Sequence, residues 1–236
     1  MSRALLLHAF ASDRMSWAGT VPALSGLKVE TPDLPGHGKA LDTVGDGSLE
    51  ALTKPIRNRL QSGDPAWIVG HSLGGAVALK LAADHPDQVK GLVLIAPLGL
   101  GEALDTDMLM AMAEIDTVDA MRRFLNRLVA DPSLIAPAIA DYALGQLQRD
   151  GAREALAKVA GQLAAMRDEV IGLLPAVRAT GLPVKVLWGS EDHLVSPDPV
   201  RASFFGPVTM IEGAGHIAHI EAARQVNRLL KDTLIS

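Results

Sequence analysis

The run Gly70-His71-Ser72-Leu73-Gly74 joins the apolar segment Ala66-Trp67-Ile68-Val69 to a helical pattern extending from Gly75 through Ala83. A buried strand that passes through Gly-X-Ser-X-Gly into a helix is the context in which this motif makes a nucleophile elbow. The flanking glycines let the backbone turn sharply without a Cβ clash, which leaves Ser72 exposed above the sheet in a strained conformation. The helix beginning beside it points free N–H groups at any oxyanion that forms there. Read locally, the same run could be a glycine-rich turn whose serine caps a helix. The rest of the chain decides between the two.

Apolar runs of strand length alternate with helical patterns. Ala4-Leu7, Leu27-Glu30, Ala66-Val69, Gly91-Ile95, Val184-Trp188 and Val208-Ile211 lack polar alternation, as expected of parallel strands covered on both faces. Helical stretches at Leu49-Leu60, Leu73-Ala83, Pro197-Phe204 and Ile217-Leu230 lie between or after them. This alternation predicts an α/β fold with a mostly parallel sheet and helices on both faces. In such sheets functional residues gather in loops beyond the strand C-termini.

Between Leu98 and Arg178 the rhythm changes and no strand-like run occurs. Leu156, Val159, Leu163, Met166, Val170 and Leu173 step by three and four. Segments near Leu104-Ile115, Val118-Val129 and Ser133-Leu147 also carry helical spacing, with breaks at Asp131-Pro132 and Asp150-Gly151. The expected organisation is a core of residues 1–97 and 179–236, interrupted by a helical cap at 98–178. Five of the eight methionines fall in this insertion, where they could line a pocket or pack the cap onto the core.

The 236 residues are 48% hydrophobic and carry a net charge of −5, enough apolar material for a sizeable core and no basic block for nucleic acid. Without cysteine there is no disulfide, thiolate metal site or Cys nucleophile, which fits a reducing compartment. The apolar start Ala4-Leu7 is too short for a signal-peptide core, and no run is long enough to span a bilayer. A soluble cytoplasmic protein is expected, with neither nucleic acid nor membrane as a partner. No histidine and carboxylate cluster has metal-ligand spacing.

A serine hydroxyl needs a base to take its proton, and the base needs a third group to hold it. Gly189-Ser190-Glu191-Asp192 follows the strand ending at Trp188, and Gly213-Ala214-Gly215-His216 follows the strand ending at Ile211. Asp192 and His216 therefore stand at the same end of the sheet as Ser72. Taken singly, Asp192 could be a turn residue and His216 a loop histidine. The order Ser, Asp, His is the one found in α/β-hydrolases.

The full chain resembles the α/β-hydrolase family. The resemblance rests on His8-Ala9-Phe10, Asp33-Leu34-Pro35-Gly36-His37-Gly38, Gly70-His71-Ser72-Leu73-Gly74-Gly75, Gly189-Ser190-Glu191-Asp192 and Gly213-Ala214-Gly215-His216. It implies Ser72 as nucleophile, His216 as general base and acid, and Asp192 as the residue orienting His216. It also implies an oxyanion hole built from the backbone N–H groups of Phe10 and Leu73. Haloalkane dehalogenase and epoxide hydrolase activities are disfavoured, because members of those kinds carry Asp where this chain has Ser72.

Three further runs are similar to the hydrolase-like C-terminal domain of acetoin dehydrogenase acyltransferase subunits. They are His8 through Trp17, Leu94 through Gly101 and Phe124 through Pro132. The lipoyl-attachment Asp-Lys-Ala and the His-x-x-x-Asp-Gly acyltransferase motif of such subunits are absent from the sequence. Two other departures stand out. Typical members carry a β-hairpin before the first parallel strand whereas Ala4-Leu7 stands at the start of this sequence, so the sheet is expected to be shorter on that edge. Ala9 also stands where Gly is usual, which raises the question of whether the oxyanion loop is intact.

Of the remaining histidines, His8 is expected to support the oxyanion loop, His71 to pack or hydrogen-bond behind the elbow, and His37 to shape a loop near the entrance. His193 and His219 are neighbours of the triad positions rather than members, and His85 marks a helix terminus. Glu114, Arg122 and Arg123 read as solvated helix faces that a polar substrate group could meet. The expected activity is cofactor-free hydrolysis of a carboxylic ester or related small-molecule acyl substrate through an acyl enzyme. The same triad could instead cleave C–C bonds, open lactones or carry out perhydrolysis. A non-catalytic or acyltransferase-associated module is the reading outside hydrolysis.

Overall fold

The structure is a computed structural model that describes residues 2–102 and 105–235. Six strands, β1 (Arg3–Leu7), β2 (Lys28–Glu30), β3 (Ala66–His71), β4 (Val89–Ile95), β5 (Val184–Gly189) and β6 (Thr209–Ile211), form one sheet ordered β2-β1-β3-β4-β5-β6. Every adjacent pair is parallel. After β1 the chain runs outward to β2 and then returns to the other side of β1 as β3. That reversal opens a crevice beyond the ends of β1 and β3, the place where doubly wound sheets bind ligands. The sheet extends one residue before Ala4, because the Arg3 guanidinium is buried against Glu30 at 2.7 Å and the carbonyls of Arg59 and Leu60 at 2.6 and 3.0 Å. A buried arginine is tolerable where it neutralises a carboxylate and satisfies helix-terminal carbonyls.

On one face, α1 (Leu49–Gln61) and α2 (Leu73–Asp84) pack against the sheet. Ser48 caps α1 through its hydroxyl, and Leu49, Leu52, Ile56 and Leu60 form its buried stripe. The insertion contributes α3 (Thr106–Met112), α4 (Val118–Leu125), α5 (Pro137–Leu147) and the 28-residue α6 (Ala152–Ala179). Leu104, the expected start of its first helix, lies outside the described residues. The helix expected from Ser133 begins instead at Pro137, since Pro132–Leu134 is a separate turn and proline is accommodated at a first helical position. The stripe of α6 runs through Leu174, not Leu173, because the fifth step is four residues, and ends at Val177.

α6 belongs to two layers. Val159, Leu163, Met166, Val170 and Val177 join the core against α2, whereas Leu156 packs with Met112, Met121, Leu144 and Leu147 in a small separate cluster formed with α3, α4 and α5. The opposite face of the sheet is covered by α9 (Ala223–Leu234), whose Val226, Leu230 and Leu234 meet Trp17, Leu24 and Ile211. The expected last helix is divided at Ala222 into α8 (Ala218–Glu221) and α9, and the helix expected at Pro197-Phe204 contracts to α7 (Pro199–Ala202). Among the described residues no helix is long and apolar enough to cross a membrane.

Candidate active site

Ser72 turns the chain from β3 into α2 with φ 51° and ψ −111°. For a non-glycine residue this is a sparsely populated conformation, costing on the order of 1–3 kcal/mol and kept only where the surroundings fix it. They do so here. Ser72 N–H donates to Ile95 O at 3.0 Å, and its carbonyl accepts from Leu98, Gly75 and Ala76. The flanking glycines serve close approach rather than left-handed backbone: a Cβ at Gly74 would collide with the Leu7 carbonyl, and one at Gly70 with Gly74. The sequence places the strain on the serine and the space on the glycines.

Asp192 lies just past β5 and His216 just past β6. His216 Nδ1 donates to Asp192 Oδ2 at 2.8 Å, and both side chains are buried. A carboxylate only accepts, so the proton of the neutral imidazole sits on Nδ1 and Nε2 is left with a free lone pair. The rest of the Asp192 carboxylate is fully engaged. Oδ2 also accepts from Trp188 Nε1 at 3.0 Å, and Oδ1 accepts from Leu194 and Val195 N–H, each at 3.0 Å. The two loops are laced together by Glu191 N–H to Ala214 O at 2.9 Å and Gly213 N–H to Ser190 Oγ at 2.9 Å. Ser72 and His216 line the same cavity, without a direct hydrogen bond between their side chains. Contacts of this kind commonly tighten only when substrate binds.

The turn after β1 carries Ala9 and Phe10. Ala9 does not have a positive φ; the left-handed residue is Ala11, at φ 55°. The amides of Phe10 and Leu73 make no hydrogen bond to any described residue, so both remain available to a ligand. His8 holds this turn from behind. Its Nε2 accepts from Leu34 N–H at 2.9 Å, which forces the proton onto Nδ1, and Nδ1 donates to Ala9 O at 2.8 Å. Burial lowers the pKa of His8 to about 4, so that the neutral form persists.

Three more buried histidines surround the site. His37 donates from Nδ1 to Pro35 O at 3.0 Å and meets His8 and Phe10 edge-on, with burial and then His8 lowering its pKa to about 3. His71 donates from Nε2 to the His216 carbonyl at 2.9 Å, and burial holds it well below the ordinary range. His219 lies between Trp17 and His71, with ring centroids 4.4 and 4.6 Å away and no partner for either nitrogen; burial lowers it to about 3. His193 is on the surface near Glu191. Among the described residues no group of His, Cys, Asp or Glu could hold a metal ion.

The cavity has a volume of about 350 Å³. Phe10, Leu98, Leu109, Phe124, Ile135 and Leu156 represent its largely apolar lining, in which the insertion supplies much of the wall. Of the five insertion methionines only Met112 reaches it; Met121, Met166 and Met108 pack in the interior and Met110 is exposed. Glu114, Arg122 and Arg123 do not line it. Sequence reasoning missed the Tyr142 hydroxyl, which donates to Asp13 Oδ2 at 2.7 Å and ties α5 to the turn after β1. It also missed the Trp188 indole and Glu221. No residue pattern marks these, because their partners are set by how separate loops meet.

A buried Asp–His pair and a strained serine thus line one cavity at the C-terminal ends of parallel strands. The family model described as "Alpha/beta hydrolase family" matches residues 4–229, and the chain belongs to that family. It is 32% identical over 233 residues to the dihydrolipoyllysine-residue acetyltransferase component of the acetoin cleaving system of Pseudomonas putida, covering 95% of this chain and 61% of that protein. The chain thus spans about three fifths of that relative. It is also 32% identical over 229 residues to the pimeloyl-[acyl-carrier protein] methyl ester esterase of Aromatoleum aromaticum, covering 89% of this chain and 78% of the esterase. In fold it matches the 2-hydroxy-6-oxo-6-phenylhexa-2,4-dienoate hydrolase from Rhodococcus sp. strain RHA1 with a TM-score of 0.86 at 18% identity, covering 100% of this chain and 91% of the other.

Proposed function

We propose that the chain hydrolyses carboxylic esters or closely related acyl compounds through a Ser72-His216-Asp192 triad. The observation that carries this is the 2.8 Å bond from His216 Nδ1 to Asp192, which leaves Nε2 as a base in the cavity that Ser72 lines. Ser72 Oγ attacks the acyl carbonyl while His216 Nε2 takes its proton. The imidazolium formed is stabilised by Asp192. The amides of Phe10 and Leu73 receive the oxyanion, at the N-terminus of α2. Collapse expels the alcohol, which leaves with the proton from Nε2. Water, deprotonated by the same nitrogen, then attacks the acyl enzyme and releases the acid. No cofactor enters these steps.

The apolar wall contributed by the insertion supports an uncharged acyl chain as the bound part, and the esterase relative supports an ester as the bond cleaved. Labelling with a fluorophosphonate tests the reading: wild type should be modified at Ser72, and Ser72→Ala should be unlabelled yet folded. A panel of p-nitrophenyl esters, thioesters, lactones and vinylogous diketones then reads the bond cleaved. Unlabelled wild type would refute a live triad and favour a binding module; turnover confined to diketones would move the assignment to C–C hydrolysis.

A further inference from the structure

Glu221, at the end of α8, is a carboxylate with an unusual pair of partners. Its Oε1 accepts from Gly215 N–H at 2.9 Å, on the residue immediately before His216. Its Oε2 accepts from Ala130 N–H at 2.7 Å, in the insertion segment between α4 and α5. The two segments also touch directly, since His216 N–H donates to Leu128 O at 2.8 Å. They are so close that a Cβ on Gly215 would lie 2.7 Å from Ala130 N and 2.9 Å from Leu128 O. On the other side, the His216 carbonyl accepts from His71 behind the elbow. The backbone of His216 is therefore held between the elbow and the insertion.

We infer that Glu221 is a positioning residue that couples the seating of the insertion segment Leu128–Ala130 to the placement of His216. The inference rests on the triad proposed above. Asp192 fixes the imidazole through one atom, Nδ1, which still permits the ring to pivot about that bond. The direction of Nε2 is set by where the backbone of His216 stands, and the Glu221 bridge and the Leu128 carbonyl determine that. Misplacing a catalytic group by about 1 Å can cost on the order of a hundredfold in rate. An insertion lifted from the core would withdraw Leu128 O and Ala130 N–H, so the site would be fully assembled only when the cap segment is seated.

The test compares wild type with Glu221→Ala and Glu221→Gln, using the best ester from the panel. Active sites are titrated with the fluorophosphonate, and unfolding is followed by heating. The expectation for Glu221→Ala is a kcat per titrated site about ten- to a hundredfold lower, KM within about threefold, and slower fluorophosphonate modification in proportion to kcat. Glu221→Gln keeps one acceptor oxygen and should lie between. Gly215→Ala should reproduce the defect from the other side, and the double variant should fall short of the product of the single effects. Hydrogen exchange at the Gly215 and Ala130 amides should rise together in Glu221→Ala. A purely structural role would lower the melting temperature or the titratable fraction and leave kcat per site at the wild-type value; that result overturns the inference. Wild type that fails to label at Ser72 refutes the triad itself, which is a separate outcome.

Discussion

Acid should unfold this protein through its histidines. His8, His37 and His219 bind protons near 6.5 in the unfolded chain but only near 4, 3 and 3 when folded. Between those values the unfolded state holds more protons, so stability is intact above about pH 7 and falls as pH drops below 6.5. At pH 5 each ring is about 1.5 pH units below its unfolded pKa, which costs about 2 kcal/mol per ring. Three rings together reach about 6 kcal/mol, against a total domain stability of roughly 5–15 kcal/mol. His71 acts in the same direction.

Urea titrations at several pH values, read by tryptophan fluorescence, give the slope of stability against pH. Near pH 5.5 that slope should correspond to about three or four protons. His219→Phe isolates one of them. Neither ring nitrogen of His219 has a partner, and the ring stacks on Trp17, so the variant loses no hydrogen bond. It should match wild type within about 1 kcal/mol at pH 8 and exceed it by about 2 kcal/mol at pH 5. A wild-type slope below one proton would refute the claim that these rings are held neutral. An unchanged slope in His219→Phe would remove His219 from the account.

Asp192→Asn should lower kcat by up to about 10⁴-fold, the loss seen for the equivalent change in the serine-protease template. Its oxygen would stay with the Leu194 and Val195 amides and its NH₂ would face His216, forcing the proton onto Nε2; steady-state kinetics check this. Ala9→Gly should change kcat/KM by less than about tenfold, because residue 9 does not take a left-handed conformation; a larger gain would show the alanine to compromise the oxyanion site. A p-nitrophenyl ester series should favour medium-length chains over acetyl, with each methylene buried in the apolar wall worth roughly 0.8 kcal/mol. A flat or falling series in kcat/KM would refute that wall as the acyl subsite.

The parts of the site legible in the sequence are those written as backbone constraints. Gly-X-Ser-X-Gly between a buried strand and a helix announces the elbow because few residue types survive its close contacts. The ends of β5 and β6 mark Asp192 and His216 because apolar runs stop there. The helical stretch between β4 and β5 shows in the sequence as a loss of strand rhythm, although its helix ends do not, since the turn at Pro132–Leu134 and the start at Pro137 depend on tertiary fit. Period alone could not choose between Leu173 and Leu174, which are neighbours on one helix; the packing of α6 on α2 decides. The methionine-rich insertion illustrates the same limit. Composition says that Met adapts to irregular surfaces, and in this chain those surfaces are chiefly interior packing.

The turn after β1 departs from the family pattern at Ala9 and is still held in place. Glycine is usual at residue 9 because a backbone approaching the reacting centre tolerates little side chain. Here residue 9 keeps a negative φ, the positive φ of this turn falls at Ala11, and His8 holds the turn. The tautomer of His8 is dictated by Leu34 N–H, which can only donate, so one ring nitrogen locks the turn to the Asp33–Gly38 loop and the other locks the Ala9 carbonyl. Protonating His8 would set an N–H against the Leu34 N–H and release that lock. The burial expected to make the fold acid-sensitive is thus the same burial that keeps His8 neutral and holds the turn carrying Phe10, whose amide the proposed mechanism uses.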